Sequence, residues 1–304
     1  MAERTGGEHR MSTIGFIGLG IMGAPMAGHL AAAGYQVAGY DVAPAGLDRL
    51  VASGGTKAAS IADAVREADV VITMLPNHPQ VEAVVLGEDG VLQHAKPGAL
   101  LIDMSTIRPE SSQAIARAGA ERGIRVLDAP VSGGEAGAAE AVLSIMVGGE
   151  EADFVAAQPI FGNLGKTIVH VGPYGAGQVV KAANQLLVAG IIALNAEALV
   201  LLEASGLDGR KGMEVLAGGL AGSTVLNRKI DNFANRDFTP GFRIDLHDKD
   251  MSIAESAARS AGVGLPVTGQ VAQLVAAAKS SGLGGYDHSG LLALIEGVNG
   301  KGQS

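Results

Sequence analysis

The chain has 304 residues, 45 of them glycine, with 47 % hydrophobic residues, 17 % charged residues and a formal net charge of −9. It contains no cysteine, which excludes a disulfide framework, a thiolate nucleophile and a Cys-ligated metal or iron–sulfur site. An acidic balance with only 3 % aromatic residues argues against nucleic-acid binding, which wants a basic face and stacking platforms, and so large an apolar fraction is not that of a disordered chain.

In chain order, residues 1–11 are polar and predict a disordered extension, with Met11 as an alternative start. From 12 to 40 there is no Lys, Arg, Asp or Glu, a pattern that imitates a signal peptide or a membrane helix. Gly15, Gly18, Gly20, Gly23, Gly28 and Pro25 interrupt it, and each interior glycine costs a helix about 1 kcal/mol relative to alanine. No segment therefore reads as a membrane span, and the expected location is cytoplasmic. Beyond residue 13, apolar runs at 14–17, 36–40, 70–74, 100–103, 126–129, 144–147 and 168–171 predict strands. Helical stretches at 22–33, 47–52, 61–67, 109–122 and 151–161 lie between them, with Ser60 and Asp63 marking one helix start. Many of the runs are apolar at successive positions, as strands buried on both faces of a parallel sheet are. The alternation predicts an α/β, Rossmann-type doubly wound, mainly parallel sheet over 12–173. After Gly172-Pro173 the strand signals fade. Helices are expected at 177–205, 210–218, 242–260, 266–281 and 289–298, with Gly206, Gly262 and Gly282 as stops. Residues 174–304 are thus expected to form an all-helical domain for substrate binding and oligomerisation.

Three stretches carry chemistry. Gly18, Gly20 and Gly23 form a G-x-G-x-x-G between a predicted strand and a predicted helix, and Asp41 ends the next strand. In that context the first glycine permits a tight turn, the second lets backbone approach a pyrophosphate, and the third allows close helix–strand packing. The helix N-terminus offers N–H groups to the anion, and Asp41 is placed to accept the ribose hydroxyls. A carboxylate there repels a 2′-phosphate, and Val42 follows it, so NAD is favoured and NADP is the alternative. Second, Lys181 is the only cation of a long apolar stretch until Arg210. Asn184, three residues on, shares its helix face. An ammonium held beside a substrate carbonyl can protonate a developing alkoxide, and desolvation lowers its pKa from about 10.4 toward working pH. Third, Ser132-Gly133-Gly134 follows a predicted strand end and offers a hydroxyl and backbone N–H groups to a small carboxylate.

Together these motifs resemble those of the β-hydroxyacid dehydrogenase family over residues 12–298. Gly15 to Gly23 looks like its cofactor signature, Asp128 to Gly134 like its substrate motif, Gly175 to Asn184 like its catalytic motif, and Lys249-Asp250 like its late Lys-Asp pair. The resemblance implies that Lys181 is the catalytic residue and that Ser132, Gly133, Gly134 and Asn184 bind substrate. It implies cofactor contacts from Gly18, Leu19, Gly20, Ile21, Met22, Gly23, Asp41, Leu75, Pro76, Thr106 and Lys249. The implied activity is reversible hydride transfer between a nicotinamide and a small hydroxy acid. Homodimers or homotetramers through the helical domain are expected, without nucleic-acid or membrane partners. The stretches 218–226, 240–247 and 287–289 mark one branch of the family. Ala141-Val142-Leu143 departs from its usual Gly-Thr-Leu.

Two further clusters invite different readings. Asp245, His247, Asp248 and Asp250 suggest a metal site, but an Asp245–Lys249 ion pair at i,i+4 spacing is the plainer expectation, and no metal is expected. Asp287-His288-Ser289 holds the residue types of a hydrolase triad, yet consecutive residues do not aim at one point. A non-catalytic dinucleotide sensor or scaffold is the alternative of a different class, and Lys181 with Asn184 argues against it.

Overall fold

The computed structural model describes residues 13–300, and the extension expected over residues 1–11 lies outside them. Its first element is the uncharged run that opens this span, β1 (Thr13–Ile17). Ten-residue α1 (Gly23–Ala32) follows, then β2 (Gln36–Tyr40), α2 (Pro44–Ala52), β3 (Thr56–Lys57), α3 (Ile61–Val65) and β4 (Val70–Thr73). The alternation continues through α4 (His78–Leu86), α5 (Val91–His94), β5 (Leu100–Asp103), α6 (Pro109–Ala120), β6 (Arg125–Asp128) and β7 (Val131–Ser132). It closes with α7 (Gly134–Ala139), β8 (Leu143–Gly149), α8 (Glu151–Phe161) and β9 (Gly165–Gly172). These strands make one sheet in the order β3-β2-β1-β4-β5-β6-β8-β7, with β9 also paired to β8. All pairings from β3 to β6 are parallel, whereas β8 runs antiparallel to β6 and β7.

Every residue of β4 and β5 is buried, because helices cover both faces of the sheet. Neighbouring side chains on one strand point to opposite faces and so feed separate cores. Phe16, Ile72 and Ile102 join one with Met26 and Phe161, while Ile17, Val71 and Leu101 join another with Val81 and Ile115. The predicted capping at Ser60 is present, its Oγ accepting from the Asp63 N–H at 3.1 Å. Helices α4, α5 and α7 and strands β3 and β7 had no counterpart in the sequence reading. Valines at 81, 84 and 85 give α4 an extended-looking pattern, and its true signals are the Asn77 cap and Pro79 in the first turn.

The chain divides into two compact units, Met1–Gln178 and Val179–Ser304. The second is helical: most of α9 (Ala176–Ala204), then α10 (Gly209–Gly218), α11 (Thr224–Asn235), α12 (Ile244–Ser260), α13 (Pro266–Ala278) and α14 (Leu291–Val298). Its core gathers Ile192, Leu199, Met213, Phe233, Met251 and Leu292. Helix α11 is too polar to announce itself by periodicity, and is started by Ser223, whose Oγ accepts from the Leu226 N–H. Helix α9 leaves Leu187, Leu194 and Leu201 61 %, 66 % and 68 % exposed. Among the described residues it is also the helix long and apolar enough to cross a membrane by length and composition. Asp245 pairs with Arg243 rather than Lys249, which pairs with Asp250 at 2.8 Å. Arg243 precedes the helix, outside its i,i+4 ladder, and takes the Asp245 carboxyl there.

Candidate active site

In the first unit the predicted cofactor residues gather at the carboxyl ends of adjacent parallel strands. Gly18 to Gly23 follow β1, Asp41 follows β2, Leu75 and Pro76 follow β4, and Thr106 follows β5. Between β1 and β4 the strand order reverses, and such switch points are where open α/β sheets receive ligands. Gly18 has φ +94, the left-handed region, and its N–H donates to the Tyr40 carbonyl at 3.0 Å. A Cβ on Gly23 would strike the Gly18 carbonyl oxygen, whereas one on Gly20 would meet nothing within 4 Å. So Gly23 is required by packing, and the Gly20 side of the loop is open. The N-terminus of α1 has neither a side-chain cap nor an acidic residue in its first turn. Asp41 steadies the loop, accepting from the Leu19 N–H on Oδ2 and from the Ala43 N–H on Oδ1. Each carboxylate oxygen retains lone-pair capacity for a hydroxyl. Uncapped N–H groups, an open glycine and an adjacent carboxylate fit a dinucleotide.

The loops after β4 and β5 are tied together. Buried Asp103 accepts from the Thr73 hydroxyl at 2.7 Å and the Ser105 N–H at 3.2 Å, and the Ser105 Oγ accepts from the Leu75 N–H at 2.9 Å. Burial pushes the Asp103 carboxyl up to about 6, against the pull of Ser105 and Thr73. Gln178 brackets Thr106, its Oε1 accepting from the Ile107 N–H and its Nε2 donating to the Ser105 carbonyl. Asp128, raised by burial, accepts from the backbone N–H groups of Gly175 and Gln178. The Ser132-Gly133-Gly134 turn lies between β7 and α7, with φ +147 at Gly133 and +64 at Gly134. Side chains there would be strained, so glycine keeps the backbone available.

The second unit holds Lys181, Asn184 and Lys249. Lys181 is 6 % exposed, and its Nζ donates to Gln185 Oε1 at 2.9 Å. Asn184 Nδ2 donates to the same oxygen at 2.7 Å, and Gln185 Nε2 donates to Asp250 Oδ2 at 2.5 Å. It is thus Gln185 that the amine contacts, and Asn184 shares that acceptor. Desolvation lowers the Lys181 pKa to about 8, partly opposed by Asp250 and reinforced by Lys249. Gln185 and Asp250 were missed as site residues. An uncharged glutamine on an apolar helix raises no alarm, though its position one turn after Lys181 was a usable signal.

Asp248, His247 and Asp287 of the two remaining clusters have structural partners. Asp248 pairs with Lys279 at 2.7 Å, and the His247 Nε2 lies 3.2 Å from the Gln185 carbonyl. Asp287 is buried and caps the short turn at 288–290 through the Ser289 N–H, while Lys229 pairs with it at 2.8 Å. Burial favours its neutral form, but the charge and hydrogen bonds around it hold its carboxyl below the ordinary range.

Both units of the chain match known proteins. Residues 13–172 match a family profile described as the NAD binding domain of 6-phosphogluconate dehydrogenase. Residues 175–295 match one described as NAD-binding of NADP-dependent 3-hydroxyisobutyrate dehydrogenase. The chain is 41 % identical over 283 residues to 2-hydroxy-3-oxopropionate reductase of Escherichia coli, spanning 93 % of this chain and 97 % of that one. It is 40 % identical to NAD-dependent L-serine dehydrogenase of Pseudomonas aeruginosa, over 96 % of this chain and all (100 %) of the relative. The solved structure of Mycobacterium tuberculosis 3-hydroxyisobutyrate dehydrogenase with L-serine superposes with a TM-score of 0.83 at 36 % identity, covering 94 % of this chain and 99 % of that one. The chain belongs to the β-hydroxyacid dehydrogenase family of NAD(P)-dependent oxidoreductases.

Proposed function

We propose that this protein reduces tartronate semialdehyde (2-hydroxy-3-oxopropanoate) to D-glycerate, with Lys181 as general acid and NAD(H) as the favoured cofactor. The observation that carries the reading is the buried Lys181 amine, the only cation of its helix, its pKa lowered to about 8 by desolvation. The E. coli relative's name supports the substrate.

Gly18, Leu19, Gly20, Ile21, Met22 and Gly23 hold the pyrophosphate, Asp41 the ribose hydroxyls, and Leu75, Pro76, Thr106 and Lys249 the rest of the cofactor. A nicotinamide held there supplies hydride to the carbonyl carbon, or accepts it in reverse. Ser132, Gly133 and Gly134 bind the substrate carboxylate, and Asn184 binds beside the reacting oxygen. The Lys181 ammonium gives its proton to the alkoxide as the carbonyl is reduced, and the neutral amine takes the hydroxyl proton in oxidation. With a pKa of about 8, most of the amine is protonated at neutral pH. Reduction therefore declines as pH rises through 8, and oxidation rises over the same interval.

A second reading, oxidation of 3-hydroxyisobutyrate, L-serine or another 3-hydroxy acid, draws support from the L-serine dehydrogenase relative. Ala141 bears on the choice. It stands where the family usually has glycine, and keeps a left-handed backbone, φ +53. The reading also includes a homodimer or homotetramer formed through the helical unit.

A spectrophotometric panel decides between substrates: tartronate semialdehyde, 3-hydroxyisobutyrate and L-serine, each with NAD(H) and NADP(H). Tartronate semialdehyde with NADH is expected to give the highest kcat/KM. Lys181→Ala is expected to lower kcat by roughly 10²–10⁴ while NADH binding persists. Near-normal turnover in that variant removes the mechanism, preferential turnover of another acid removes the substrate, and a clear NADPH preference removes the cofactor assignment.

A further inference from the structure

We infer that Gln185 is a positioning residue that aims the Lys181 amine and sets its proton affinity, with Asp250 holding Gln185 in the productive orientation; this rests on the reading of Lys181 as the proton donor.

A side-chain amide can be placed two ways round, and only its neighbours decide between them. Here they leave one choice. Asp250 Oδ2, whose partner oxygen pairs with Lys249, accepts and takes the Nε2 donor, while Lys181 Nζ and Asn184 Nδ2 are both donors and take Oε1. A flipped amide would set its oxygen against the Asp250 carboxylate and its NH₂ against the ammonium. Lys181, Gln185 and Asp250 are all buried, at 6 %, 4 % and 2 % exposure, so water cannot make good a lost partner, and hydrogen bonds to charged groups in such surroundings are among the stronger ones. One Lys181 N–H is spent on Gln185, and the ammonium's remaining two are available to a substrate oxygen. Asn184 is fixed by the same acceptor, leaving its own carbonyl oxygen to act as an acceptor.

The glutamine also separates charges. The ionisable groups facing the amine, Asp250, Lys249 and His247, all come from α12. His247 is held neutral chiefly by burial, and Lys249 pairs directly with Asp250. Were a carboxylate in direct contact with Lys181, the ion pair would lock the proton on the amine. The neutral amide gives direction and a modest preference for the ammonium, while the Asp250 charge is felt one residue away.

The test uses full-length Gln185→Glu and Gln185→Leu beside wild type and Lys181→Ala. Two readouts are the pH dependence of kcat and direct titration of Lys181 by NMR in protein carrying ¹³C-lysine. In Gln185→Glu one carboxyl oxygen faces the Lys181 amine and the other faces Asp250, so the new acidic pair lies between Lys181 and Lys249. Its full ionisation by pH 8 adds a negative charge beside the amine and raises the Lys181 pKa, so the alkaline limb of reduction moves up by about one pH unit or more. Gln185→Leu removes an acceptor of the charged form, so the limb moves down, with kcat lowered about 10- to 100-fold and KM changed far less. Retained NADH binding establishes that each variant is folded; if Gln185→Leu does not fold, Gln185→Glu decides alone. A Lys181 titration that stays in place in every folded variant overturns the inference while leaving the catalytic lysine intact. Normal turnover by Lys181→Ala overturns the reading beneath it instead.

Discussion

Ala141 shows how a single position can carry a conformational burden. Its φ of +53 lies in the left-handed region, which costs a non-glycine residue roughly 1–2 kcal/mol. Restoring glycine relieves that strain and forfeits about 0.4–1 kcal/mol through greater freedom of the unfolded chain. Ala141→Gly is therefore expected to stabilise the protein by up to about 1.6 kcal/mol, read as a higher midpoint in urea at unchanged slope; a lower midpoint contradicts the strain argument. At this scale the sequence was most informative where a residue violated its surroundings. Lys181 stood out as the one cation of an apolar helix, and Asp41 as a carboxylate closing an apolar strand. Gln185 and Gln178 did not, because a neutral amide changes neither charge nor periodicity. Their importance lies in partners 65 and 71 residues away, at Asp250 and Ile107.

Among the elements, α9 is the least self-sufficient. Val180, Leu187, Leu194 and Leu201 fall seven residues apart and all are exposed, a seam of the kind that packs against another helix. Fully burying a leucine is worth about 1.5–3 kcal/mol, so three of them contribute enough to hold a subunit contact. Replacing Leu187, Leu194 and Leu201 together by Gln is expected to yield a monomer by light scattering, with helical circular dichroism retained. An oligomer that survives the triple change places the contact elsewhere. Elements were legible from sequence in proportion to their periodicity: the buried strands β4 and β5 and the long helices were plain. Polar α11 and valine-rich α4 were not, because their starts depend on single capping side chains at Ser223 and Asn77.

Across the whole molecule, mild acid acts oppositely on the two units. In the second, His247 and His288 are buried and their pKa values are lowered, for His288 by burial and then by His247. Unfolding lets them charge, so the unfolded state binds more protons and stability falls as pH drops below about 6.5. In the first, the Asp103 carboxyl is raised to about 6, so the native state takes up the proton first and stability increases as pH falls through that value. Calorimetry at pH 7.5 and 5.5 should show the transition of the helical unit moving down relative to that of the sheet unit. His247→Gln with His288→Gln should remove most of the difference, and transitions that move together count against the assignment. The parallel sheet and the helical remainder were foreseeable because alternation and apolar runs are averages over many residues. Proton balance was not, since it depends on which few polar groups the packing happens to enclose.

The buried amine has one more implication, for how such a sequence changes over generations. Lys181 is held at a pKa of about 8 against an ordinary 10.5, and every tenfold loss of proton affinity on folding costs about 1.4 kcal/mol. Its charged form therefore weakens the fold at neutral pH by an amount on the order of 3 kcal/mol. A methionine there would fill similar space, and Gln185 Oε1 would still have Asn184 as a donor. Nothing in folding favours the lysine, and under the proposed function it is the reaction that retains it. In a lineage released from that reaction, mutational drift and selection for stability would push the same way, toward a sturdier chain that no longer transfers a proton.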